Sequence, residues 1–86
     1  MKRIIEDSEA VGLEALLGEN VLLMCANYFY TGKLTGVNAT RVELTDPAIV
    51  YETGPFTDKN YKDVQKFHAK VWYIQVAAIE SYGVSK

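Results

Sequence analysis

Two glycines four residues apart inside a largely apolar stretch, Tyr30-Thr31-Gly32-Lys33-Leu34-Thr35-Gly36-Val37-Asn38, constrain the fold of this chain more than any other feature. Tyr30, Leu34 and Val37 want a packed surface, whereas Gly32 and Gly36 permit backbone geometry that other residues resist. The stretch therefore reads as a strongly bent strand, and a bend there curls the sheet. The chain of 86 residues is one domain, 49% hydrophobic and 23% charged. A domain of this size buries only about 60 to 70% of the surface its unfolded chain exposes. Apolar residues are plentiful for so small a volume, and the surplus points to an oligomer.

The formal net charge of -2 argues against indiscriminate binding to nucleic acid, because phosphate neutralisation is the main source of such binding. It leaves room for a local basic patch. The lone cysteine, Cys25, lies in the apolar run Val21 to Ala26 and has no internal disulfide partner, which fits a reducing compartment and the role of a small buried hydrophobe. Lys2 and Arg3 are followed by only Ile4 and Ile5 before Glu6 and Asp7, too few apolar residues for a signal peptide. No apolar run is long enough to span a bilayer. A soluble, cytoplasmic protein with no membrane association is the expectation.

In chain order, Asp7 or Ser8 offers an N-cap, and the spacing of Val11, Leu13, Ala15, Leu16 and Leu17 predicts an amphipathic helix over about residues 8–17 that Gly18 ends. Strands are expected at about 20–26, 28–38, 41–52, 69–75 and 77–82. The first is apolar on both faces. In the third, Arg41, Glu43 and Thr45 alternate with Val42 and Leu44, giving one wet face, and Pro47 marks a bulge or an edge. Residues 53–68 keep no strand period and read as a long polar loop, a length that in a small domain is commonly functional or interfacial.

A helix followed by five strands, the second sharply bent and the last two short and nearly continuous, resembles the SH3-like barrel of the Sm and LSm proteins. The resemblance covers roughly residues 8–82. Tyr30-Thr31-Gly32-Lys33-Leu34-Thr35-Gly36-Val37-Asn38 is similar to the first half of the family's Sm1 motif, and Gly18-Glu19-Asn20-Val21 to the entry into its first strand. Ile74-Gln75-Val76-Ala77-Ala78-Ile79 stands in the place of Sm2, and Ala78-Ile79-Glu80-Ser81 is similar to a pattern of the bacterial Hfq branch. The chain also resembles Sm-like proteins associated with marine phages, which would place it in the cytoplasm of a host cell. The fold class implied is mostly β, an N-terminal α-helix preceding a five-stranded, strongly bent antiparallel SH3-like barrel. The resemblance further implies a homo-oligomeric ring, closed by the fourth strand of one subunit pairing with the fifth of the next, that binds single-stranded RNA or DNA.

Carried over by position, Asn38 stands where the family has a loop-supporting Asp, while Ala39, Thr40 and Arg41 replace its stacking residue, Met and Asn. Gln75 replaces the Sm2 Arg, so the base pocket is not reproduced. Arg41 is then the candidate for a phosphate or stacking contact, with Asn38, Thr40 and Gln75 offering hydrogen bonds. Arg41 is equally suited to a solvated strand face, and Asn38 to a turn. Lys59, Lys62 and Lys66 form a second candidate surface, interleaved with Tyr61, Phe67 and His68, or else a solvated loop.

Catalysis is not expected. His68 is the one conventional general base, no Ser or Cys sits in a nucleophile motif around it, and no metal-ligand spacing occurs, so no cofactor or metal is expected. Two functions remain: an Sm-like ring holding single-stranded nucleic acid in RNA or DNA processing, or an oligomeric structural or adaptor module that has lost the pocket and grips a protein partner through residues 53–68.

Overall fold

The computed structural model describes residues 12–86. They form a mostly β structure: β1 (Asn20–Cys25), β2 (Phe29–Val37), β3 (Arg41–Glu52), β4 (Asp63–Lys66), β5 (Val71–Gln75) and β6 (Ile79–Val84). All pairs are antiparallel, in one sheet of order β4-β3-β2-β1-β6, with β5 pairing the other half of β3. The sheet does not close. Among the described residues no helix is long and apolar enough to cross a membrane.

The expected helix over 8–17 requires correction. Residues 8–11 lie outside the described residues, and beyond them the chain makes a single 3-10 turn, Leu13–Leu16. An α-helix would send the Gly18 N–H to Glu14; instead it donates to the Leu34 carbonyl at 2.8 Å, and Leu34 N–H returns a bond to the Glu19 carbonyl at 2.9 Å. The sheet captures the Gly18 donor, the Leu17 and Glu19 N–H groups close i→i+3 bonds to Glu14 and Leu16 instead, and Gly12 adds about 1 kcal/mol against helix relative to alanine.

The glycines of β2 serve close packing and not an unusual backbone, since neither Gly32 nor Gly36 has a positive φ. In the β2–β3 ladder Thr31 faces Ala48 and Lys33 faces Thr45, so Gly32 lies against the bend of β3 at Asp46 and Pro47. Asp46 has φ of 53° there, and Pro47 is fully buried. A Cβ on Gly32 would stand 3.2 Å from the Thr45 carbonyl oxygen and 3.3 Å from Pro47 Cα, so the bend packs into space that only glycine leaves. A second irregularity, between Leu34 facing Leu44 and Gly36 facing Glu43, makes Thr35 an extra residue, a β-bulge that re-aims its side chain.

One hydrophobic cluster unites alternate residues of the strands: Val21, Leu23 and Cys25 of β1, Leu34 of β2, Val42 and Leu44 of β3, and Ile74 of β5. Leu22, on the opposite face of β1, is also buried, and it lines a shallow groove with Met24, Phe56 and Tyr82. Burial pushes the Cys25 thiol above its ordinary pKa, in keeping with a core hydrophobe.

The segment 53–68 is not wholly a loop. Its residues Asp63–Lys66 form β4, paired with Ala48 to Glu52 of β3. All four are exposed, so the strand rests on its backbone ladder and leaves no hydrophobic period to read. At the other end of the chain β6 runs past the expected strand end at residue 82, through Gly83 and Val84, which pair with Leu22 and Val21. Ser85 N–H then donates to the Asn20 carbonyl at 2.8 Å.

Candidate functional site

The turn from β2 to β3 is built around one side chain. Asn38 Oδ1 accepts hydrogen bonds from the Thr40 backbone N–H at 2.8 Å, the Thr40 hydroxyl at 3.1 Å and the Arg41 N–H at 2.8 Å. An Asx turn of this kind supplies locally the acceptor that tightly turning amides need. With its oxygen so committed, Asn38 has its amide NH2 to offer a ligand. The turn is fastened to the far end of the chain, because Val76 N–H donates to the Thr40 carbonyl at 2.9 Å and Arg41 pairs with Gln75. Val76 opens the 3-10 turn Val76–Ala78 that joins β5 to β6. Asn38, Thr40 and Arg41 of one turn thus meet the distant Gln75 at one end of the sheet.

Beside them on the outer face lies a cleft of about 240 Å³ lined by Gly36, Val37, Asn38, Arg41, Glu43 and Tyr73. β3 places Arg41, Glu43 and Thr45 outward because Val42 and Leu44 point into the core. Cross-strand pairing sets Tyr73 of β5 opposite Glu43. The Tyr73 hydroxyl donates to Glu43 Oε2 at 3.1 Å, and the bulged Thr35 donates to Glu43 Oε1 at 2.7 Å. The Thr45 hydroxyl lies 2.9 Å from that of Thr35 and completes a short chain of hydroxyls ending on the carboxylate. The hydrogen bond to Glu43, reinforced by its negative charge, raises the Tyr73 pKa above the ordinary phenol value, while Arg41 opposes the shift. The Arg41 guanidinium carbon lies 5.9 Å from the centre of the Tyr73 ring.

The lysine candidates stand apart from this site. Lys62 Nζ lies 3.5 Å from Glu52 Oε1 with both side chains mostly in solvent, a pair worth about 0 to 1 kcal/mol. Lys66 pairs with Ala48 in β4, and Lys59 lies in the bend before it. Arg41 begins β3 and Glu52 ends it, so Lys62 and the Asn38 turn flank opposite ends of that strand. Lys66 instead shares a second cleft with Tyr61, Ser85 and Lys86. There Lys86 Nζ donates to the carbonyls of Thr53 at 2.7 Å and Pro55 at 2.9 Å and lies 4.9 Å from the centre of the Tyr61 ring.

Sequence reasoning missed Glu43, Tyr73 and Thr35 as members of the site. The outward alternation of Arg41, Glu43 and Thr45 was a readable signal for Glu43. For Tyr73 and Thr35 there was none, since one depends on the β3–β5 register and the other on the bulge. Among the described residues, no group of His, Cys, Asp and Glu has the arrangement of a metal site. Compared with known proteins, the chain matches no family model, no curated protein and no solved structure.

Proposed function

We propose that this protein is an Sm-like module, an unclosed variant of the SH3-like barrel carrying β4 as an added strand, that assembles head to tail into a ring and holds single-stranded nucleic acid for RNA or DNA processing. The observation that carries the reading is the convergence of Asn38, Thr40, Arg41 and Gln75 where the β2–β3 turn is bonded to the β5–β6 turn. A cation, amide groups and a hydroxyl meet there beside an exposed tyrosine, the mixture that positions a phosphate and stacks an unpaired base. Single-strand binding needs no deep pocket, and one cation per subunit gains strength when several copies face one strand.

The test is fluorescence anisotropy with labelled single-stranded RNA and DNA across a salt series. Saturable binding is expected, with log affinity falling by about 0.7 per unit log salt for each phosphate neutralised. Arg41→Ala is expected to weaken binding by about 1 kcal/mol. Absence of binding at low salt sinks the proposal.

A second reading, the adaptor, draws support from a different surface. Phe56 and Tyr51 are 58% and 53% exposed, and a protein partner gripping residues 53–68 would cover Phe56. Under that reading Phe56→Ala abolishes partner capture and Arg41→Ala has no effect.

A further inference from the structure

Glu43 is an odd residue to find in a cleft meant for a polyanion, and its surroundings give it a use. Its two carboxylate oxygens are each held by a hydroxyl, Oε1 by Thr35 and Oε2 by Tyr73, which fixes the plane of the group. A carboxylate has about four acceptor positions, so roughly two remain for a ligand. Those two form an acceptor fork whose orientation is fixed before anything binds. Gly36 lies beside it, where a Cβ would come within 3.2 Å of Glu43 Cβ, and the missing side chain keeps the approach open. Arg41 and Tyr73 wall the cleft with two flat groups, and its volume of about 240 Å³ lies below the ~300–1,000 Å³ of drug-sized pockets. One base is the size of ligand it suits.

We propose, resting on the nucleic-acid reading above, that this cleft selects guanine from a single strand, with the Glu43 carboxylate accepting hydrogen bonds from the base's Watson–Crick edge. Guanine presents two adjacent donors, N1–H and the N2 amine, that match a carboxylate fork. Uracil presents one donor flanked by two carbonyl oxygens, which the carboxylate repels. Cytosine and adenine each present one amine next to an acceptor nitrogen. The base enters along Gly36, lies against Tyr73 or the Arg41 guanidinium, and leaves its phosphate within the influence of Arg41. The same Arg41 disfavours the other ligand that a carboxylate fork accepts, an arginine side chain from a protein, because the two cations would crowd one cleft.

The experiment compares labelled oligouridine carrying a single central guanosine, inosine, cytidine or uridine, bound to the intact protein. Guanosine is expected to bind about 10-fold more tightly than uridine, the scale of a good bidentate base contact. Inosine, which lacks the N2 amine, is expected to fall between them. In Glu43→Gln the guanosine-to-uridine ratio falls toward one. In Tyr73→Phe, which keeps the ring and loses the hydroxyl that orients Glu43, the ratio shrinks part of the way. Binding without base preference, or a preference that survives Glu43→Gln, overturns the inference and leaves the proposed function standing. If no oligonucleotide binds, both fall. Glu43-dependent binding of an arginine-containing peptide in place of any oligonucleotide would give the cleft to a protein partner and overturn the inference.

Discussion

Asn38 shows how one side chain can hold a site together with one end and keep the other for a ligand. Its oxygen serves two backbone amides and a hydroxyl in the turn that presents Thr40 and Arg41. Asn38→Ala removes that acceptor and is expected to cost about 1 kcal/mol in denaturant unfolding, the scale of a lost helix cap or exposed turn bond. Asn38→Asp keeps the acceptor and is expected to unfold at nearly the denaturant concentration of the parent. Equal stability of the alanine and aspartate variants would mean that water serves the amides as well as the side chain does. The turn role of Asn38 was legible because Asn at a strand end carries its own local mechanism. Its carboxamide oxygen is spent within the turn, a detail that depends on which amides the finished turn aims at it.

At the scale of elements, β2 and β4 differ in how much of themselves the sequence displays. Gly32 and Gly36 were legible as special positions in β2, since a residue without a Cβ is a local fact that needs no partner to be recognised. What each glycine accommodates is not local: Gly32 receives the Asp46–Pro47 bend of β3, and Gly36 lies beside Glu43. Gly32→Ala is therefore expected to destabilise by about 1–3 kcal/mol, the usual cost of overpacking. Its close neighbours are backbone atoms of Thr45 and Pro47 and the Leu44 Cβ, none of which can swing aside. A thermal or denaturant midpoint equal to the parent's would show that β3 bends without needing that space. β4 has no such signature. Its four exposed residues include one apolar side chain, Val64, and its existence is decided by the unpaired edge that the second half of β3 offers.

Across the whole molecule the apolar surplus of the composition finds a place. Among the described residues β5 pairs only with β3 and β6 only with β1, so each leaves an edge without a partner there, and Trp72, Tyr82 and Val84 on these strands are 41%, 44% and 61% exposed. Open edges carrying apolar side chains invite continuation of the sheet, and a head-to-tail contact that closes makes a ring. Val84→Lys is expected to leave unfolding of the isolated subunit within about 0.5 kcal/mol of the parent. The same change should shift association to higher protein concentration, which sedimentation or light scattering would detect. A parent that stays monomeric at micromolar concentration would remove the ring from the proposed function. The sequence by itself determined the β character, the one wet face of the first half of the third strand and the apolar faces of the core, because alternation acts within a few residues; the second half of that strand, Pro47 to Val50, is buried on both faces. Tertiary structure decided the replacement of the expected helix by a 3-10 turn, the added strand β4, and the meeting of Thr35, Glu43 and Tyr73. Each of these depends on ladder registers between segments up to some thirty positions apart, which are fixed only when the whole sheet assembles and its core closes.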